Sequence, residues 1–339
     1  MAEQHTPRSL IVTLYGAYGR TPDDSPLAVA ELIRLLGAVG VDAPSVRSSV
    51  SRLKRRGLLV PERTARGTAG YALSAEARQL LDDGDRRIYA GPAPELSDGW
   101  VLAVFTVPES ERHKRHLLRS RLARLGFGTA APGVWIAPGR LYEETRHTLR
   151  RLRLDSYVDL FSGQHLGFEA TSDAVARWWD LDAIATQHEE FLDAHEPVLH
   201  AWEDRLPGAG SGTSGSAGGS GAGGSASGSG AGGSASGSGA GGSASGSGAG
   251  GSASGSGAGT DAGAGAGYGA GSGAAEDAYR DYLLALDSWR QLPYADPGLP
   301  AGLLPENWPG ARSAEVFARL HHRLRDTGLA FVERPVTEE

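Results

Sequence analysis

The side chains best equipped for chemistry in this sequence are cations and short hydroxyls. Between Asp42 and Tyr71 stand Arg47, Arg52, Lys54, Arg55, Arg56, Arg63 and Arg66, opposed only by Asp42 and Glu62, in a chain whose overall charge is −7. Ser45, Ser48 and Ser51 are interleaved with them. Guanidinium forks and hydroxyls at this density suit phosphate oxygens and the edges of bases. Salt screens charge over roughly 10 Å, so an acidic body elsewhere does not cancel a basic module. The acids are indeed elsewhere: from Phe161 to Leu206 ten of them face Arg177 and Arg205.

Other chemistries lack their residues. There is no cysteine, which removes disulfides and thiolate metal sites. The pairs His113/His116, His188/His195 and His321/His322 do not have the i, i+4 spacing with a third ligand that a zinc site favours, so no metal is expected. The glycine-rich tract contains no Lys-Ser/Thr pair and does not join a strand to a helix, so no phosphate-cradling loop and no cofactor are expected either. The N-terminus has no signal-like apolar run and no segment is long enough to span a bilayer; a cytoplasmic protein without a membrane role is the expectation.

The cationic residues need an element to hold them. Leu10, Ile11, Leu14 and Tyr15 recur at helical spacing after Pro7. A second helix is expected from Ser25-Pro26 to Gly40, and a third opens on Asp42 with Pro44 in its first turn. In the third, Val46, Val50 and Leu53 form the buried face, leaving Ser45, Arg47, Ser48, Ser51, Arg52, Lys54 and Arg55 outside. After Gly57, Leu58–Val60 and Tyr71–Leu73 read as strands joined by a loop bearing Arg63 and Arg66. Ser74 can cap a fourth helix. Helix, helix, basic helix and hairpin make a winged helix-turn-helix, with those nine residues as candidate DNA contacts. A protein-interaction domain is the alternative for the same elements.

Trp100–Val107 reads as a buried strand, Ser110–Leu125 as a helix, Phe127–Thr129 and Val134–Ile136 as a pair of strands, Leu141–Leu154 as a helix and Tyr157–Phe161 as a last strand. This βαββαβ order is ferredoxin-like. Beyond it, segments from Thr171, from Glu276 and from Ala311 are helical. Trp178, Trp179, Trp202, Trp289 and Trp308 either line a ligand pocket or fill a helical core. From Gly219 to Ser254 the sequence repeats Gly-Ser-Gly-Ala-Gly-Gly-Ser-Ala-Ser four times. Such a stretch has little to bury and is expected to be a flexible insertion, whether an expanded loop or an engineered linker. The expected class is α+β: a winged domain over 1–92, a ferredoxin-like domain over 98–166, and a helical domain over 170–206 and 276–335 interrupted at 207–275.

Several motifs carry a family resemblance. Arg47-x-x-x-Ser51-Arg52-Leu53 followed by Gly57-Leu58-Leu59 resembles the helix-turn-helix of the PaaX repressors of phenylacetic acid catabolism. Trp100 through Pro138 resembles that family's central domain, itself similar to the small endoribonucleases of CRISPR systems. Trp178-Trp179-Asp180-Leu181-Asp182 and Leu299-Pro300-x-x-Leu303-Leu304-Pro305-x-x-Trp308-Pro309-Gly310 resemble its C-terminal domain. The resemblance implies a homodimeric repressor of a double-stranded DNA operator, released by an aryl-acyl-CoA thioester; a different effector, or activation, stays open. A nucleic-acid-processing enzyme is the competing class. In the endoribonucleases an acidic metal ligand ends the first strand, whereas Thr106 stands at about that place here and offers no carboxylate. Glu109 and Glu111, beyond Pro108, are expected to cap a helix start, and no catalytic residue is assigned.

Overall fold

The structure, a computed structural model, describes residues 5–20, 26–64, 66–89, 98–205 and 268–334. The expected cap Ser25 and the repeat-bearing part of the insertion, 207–267, lie outside them. The hydroxyl of Thr6 accepts the Ser9 amide and so opens α1 (Pro7–Tyr18), with Pro7 in the first turn where its missing N–H is tolerated. The next helix starts later than its proline suggests. Leu27–Ala28 is a short strand, β1, paired with Tyr71 and Gly70, and α2 spans Val29–Gly37. Its start is capped from within, the Glu31 carboxylate accepting the Ala28 amide at 2.7 Å.

Asp42 caps α3 (Ala43–Arg55) by accepting the Ser45 amide at 2.9 Å, and Gly57 at φ +71° turns the chain out of it. Strands β2 (Leu59–Arg63) and β3 (Ala69–Leu73) then form an antiparallel hairpin reaching further than the apolar pattern shows. Pro61 stands opposite Tyr71, on an edge strand where no ladder donor is needed, since β3 is central in the order β1-β3-β2. Ser74 caps α4 (Ala75–Ile88) through the Ala77 amide.

The central elements are β4 (Trp100–Phe105), α5 (Arg112–Arg124), β5 (Gly128–Ala131), β6 (Val134–Pro138), α6 (Tyr142–Arg151) and β7 (Val158–Gly163), the sheet running β5-β6-β4-β7 with every pair antiparallel. This is the ferredoxin-like arrangement. Val101, Ala103 and Phe105 face Leu118, Leu122 and Leu149. The other side of β4 is covered too: Trp100 and Ile136 pack with Val175, Trp179, Leu299 and Leu303. Burial on both faces explains why β4 is apolar throughout.

The remaining helices are α7 (Thr171–Trp178), α8 (Leu181–Arg205), α9 (Tyr268–Trp289), α10 (Leu292–Ala295) and α11 (Gly310–Val332). Helix α9 begins inside the stretch whose composition reads as linker to Ala275, and Ala275 itself is buried. Packing decides this: Ala275, Tyr279 and Leu283 enter the same core as Leu10, Ile11, Leu14 and Val50. The winged head and the C-terminal helices thus share one apolar core. Arg34 of α2 reinforces the join by donating to the carbonyls of Phe331, Val332 and Arg334 at the end of α11.

The tryptophans serve this packing. Trp289 stacks on Phe317 at 4.9 Å and donates to the Ile88 carbonyl; Trp179 donates to Gly126 and Trp202 to Asp281. No helix among the described residues is long and apolar enough to cross a membrane.

Candidate nucleic-acid interface

Helix α3 presents its cations on an open surface. Val46, Val50 and Leu53 are buried against α1 and α2, while Arg47, Ser48, Ser51, Arg52, Lys54 and Arg55 are exposed and Ser45 is half-buried beside the cap. None of these cations has an ion-pair partner among the described residues. At about 100° per residue, Ser48, Ser51 and Arg55 form the outward centre of the helix. Arg47 and Lys54 stand on one flank, and Arg52 stands about 140° from Arg47 on the other. The residues named from the sequence are therefore together on one helix but do not point one way.

The hairpin holds the other two. Gly67 turns its tip at φ +78°, and the hydroxyls of Thr64 and Thr68 meet across it at 2.6 Å. Arg63 bends over this turn and donates to the Gly67 carbonyl at 2.7 Å, so part of its fork braces the wing. Arg66 is exposed at the tip.

Thr106 follows β4, exposed, with its amide donating to the Tyr157 carbonyl. Glu109 and Glu111 form a short 3-10 turn at the start of α5, where Glu111 holds the N-cap position, but neither side chain makes a capping hydrogen bond. Glu109 pairs with Arg115; Glu111 accepts from Lys114 and from the Tyr157 hydroxyl, both at 2.7 Å. The Lys114 bond, then that of Tyr157, holds the Glu111 carboxyl below its ordinary range.

The buried histidines are satisfied inside the helical core. His188 lies between Ser313 Oγ (2.6 Å) and Asp296 Oδ2 (3.0 Å), a trio of nucleophile-triad types. Ser313 is fully buried and donates onward to the Gly310 carbonyl, so no substrate reaches it. His195 faces Ser288 Oγ at 3.0 Å, and burial lowers its pKa to about 4, keeping it neutral. No group of three or more metal-ligating side chains occurs among the described residues.

Three protein-family models match successive parts of the chain: PaaX-like protein over 6–77, PaaX protein central Cas2-like domain over 93–175, and PaaX-like protein C-terminal domain over 269–334. The chain belongs to the PaaX family. The transcriptional repressor PaaX of Escherichia coli (strain K12) is 21% identical over 330 residues, covering 96% of this chain and 82% of that one. Among solved structures, the uncharacterized protein Rv0674 from Mycobacterium tuberculosis has the same fold, with a TM-score of 0.52, 17% identity, and coverage of 97% of this chain and 99% of its own. As a PaaX-family member the chain is a DNA-binding transcriptional regulator and not an enzyme.

Beside the candidate contacts named from the sequence, Arg56 is exposed at the end of α3 and Arg8 on α1. Arg56 was visible in the basic run. Arg8 is a single charge on a helix otherwise read for its apolar face, and only the tertiary packing of α1 on α3 brings it near.

Proposed function

We propose that this regulator represses transcription by laying α3 in the major groove of an operator, with the β2–β3 hairpin on the neighbouring backbone. The observation that carries this reading is the row of uncompensated cations and serines on the open side of α3, borne by a helix whose other face is fixed in the core. The central serines Ser48 and Ser51 face the bases, and Arg55 and the flanking cations the phosphates. A twofold dimer would place two such helices about one DNA turn, roughly 34 Å, apart.

Arg47 and Lys54 test the reading on the flank of α3 they share. In duplexes that the protein itself selects from a random pool, Arg47→Ala and Lys54→Ala should each weaken binding. The slope of log affinity against log salt should shrink by about one per residue if phosphates are held. Val50→Asp is the contrast: binding should vanish with the fold, because a charge enters the core. Wild-type affinity and salt dependence in both surface variants would remove α3 as the DNA reader.

The effector belongs to the same proposal. An aryl-acyl-CoA thioester should weaken operator binding, and by linkage operator DNA should weaken binding of the thioester by the same factor. Titrating phenylacetyl-CoA with and without DNA measures both; equal DNA affinity throughout would eliminate this effector and leave the DNA contacts untouched.

A further inference from the structure

The two flanks of α3 do not have the same surroundings. On the side away from Arg47, the residues Ser49, Arg52, Arg55 and Arg56 look across a cleft of about 460 Å³ at Thr6, Pro7 and Arg8 of the first turn of α1. Four guanidinium groups from two helices line this space and no carboxylate does. None of the four has an ion-pair partner among the described residues. Like charges gathered without a counter-charge repel, and an anion among them relieves that repulsion.

Two further features point the same way. Ser49 is only 6% exposed and lines the cleft, so the little surface it keeps is turned to that space. The wall opposite is the N-terminal turn of a 12-residue helix, the positive end of its dipole. Cations, a hydroxyl and a helix start converge on one space, which is the chemistry that holds a phosphate.

We propose that this cleft takes a phosphate of the DNA backbone, so that α1 and α3 grip one strand together while Ser48 and Ser51 face the groove. The inference rests on α3 being the DNA reader, and it adds a jaw from outside that helix. Arg8 supplies the jaw. Its position is set by Ser9, whose hydroxyl is bonded to the buried Asp287 of α9 at 2.7 Å, so the C-terminal helices fix one side of the clamp.

Arg8→Ala, Arg56→Ala and the double variant separate this clamp from the rest of the interface. Both residues are exposed, so melting temperatures should match the wild type. Each single variant should lose about five- to tenfold in affinity for every duplex, random or selected, and reduce the salt slope by about one; the double should reduce it by about two. Base preference should not change. Arg8→Lys, which keeps the charge, should recover part of the loss. Wild-type affinity and slope in the double variant would overturn the clamp, and if Arg47→Ala still weakens binding the α3 reading survives. A loss confined to duplexes with one particular base would also overturn it, since the arginines would then read bases. Inorganic phosphate and pyrophosphate, titrated calorimetrically, form the last arm. Submillimolar binding that the double variant abolishes, with DNA affinity unchanged, would make the cleft a small-anion site instead.

Discussion

Asp287→Leu should lower the melting temperature by about 10 °C, the largest single loss expected from one polar side chain in this molecule. Asp287 lies on α9 with its carboxylate fully out of solvent. One oxygen accepts from Ser9 Oγ at 2.7 Å, Thr13 Oγ1 at 2.6 Å and Arg290 Nε at 3.1 Å; the other faces His5 Nδ1 at 2.9 Å. Arg290 also donates to Ser9 Oγ at 2.6 Å. Leucine would leave these donors facing an apolar side chain, including a guanidinium with no counter-charge. Breaking a buried pair from one side costs about 3–5 kcal/mol. Asparagine, which keeps one acceptor, should cost less.

The pH dependence follows from the same contacts. Burial pushes the Asp287 carboxyl up, but the His5 bond, the Arg290 charge and the Thr13 and Ser9 hydroxyls outweigh it, and the net shift is downward from 3.8. A carboxyl lowered on folding stabilises fully above its unfolded value and loses that contribution as pH falls through its folded one. The gap between wild type and Asp287→Asn should therefore be constant from pH 5 to 8 as far as this group is concerned, and should close below about pH 4. Thermal melts across that range measure it. An Asp287→Leu variant melting within about 2 °C of the wild type would show that the network carries no stability.

Helix α3 was legible because its signals are local. Asp42, Pro44 and Gly57 mark its ends, and Val46, Val50 and Leu53 mark its inner face. Asp287 was not legible for the opposite reason. A lone acid on a helix reads as solvated, and its partners Ser9 and Thr13 are far away in sequence. A faint signal existed in Thr13, a hydroxyl set among Leu10, Ile11 and Leu14 and buried to 3% exposure. Periodicity says that a helix has an apolar face but not what that face meets. Tyr279 and Leu283 were readable as one face of a helix, yet nothing in their spacing places them against Leu10 and Leu14. The start of α9 was missed because residues 268–275 share the composition of the tract before them; burial of Ala275, not helix propensity, distinguishes them. The clamp residues Arg8 and Ser49 belong to the same class of information, carried by packing between two helices.

The place where the winged head meets the C-terminal helices gives the second large effect. Gly328 is buried on α11, and a methyl group added there would lie 2.9 Å from Tyr279 Cα, 3.1 Å from its amide nitrogen and 2.7 Å from the Tyr18 hydroxyl. The tyrosine hydroxyl can swing away. The backbone of α9 cannot, so α11 must move off α9 and drag the end that Arg34 holds. In an isolated helix, Gly→Ala is favourable by about 1 kcal/mol. Here crowding should reverse the sign: Gly328→Ala should lose about 1–2 kcal/mol net, and Gly328→Leu at least 3 kcal/mol, with loosening of the head on its support. Gly37, at the end of α2, has nothing within 4 Å of the same added methyl. Gly37→Ala should therefore gain up to about 1 kcal/mol. Urea denaturation of the three variants separates propensity from packing, because propensity alone predicts a gain for both alanines. If Gly328→Ala is as stabilising as Gly37→Ala, the close approach of α11 to α9 is not a constraint on this fold, and the rigid support inferred for α1 and its clamp has lost its basis.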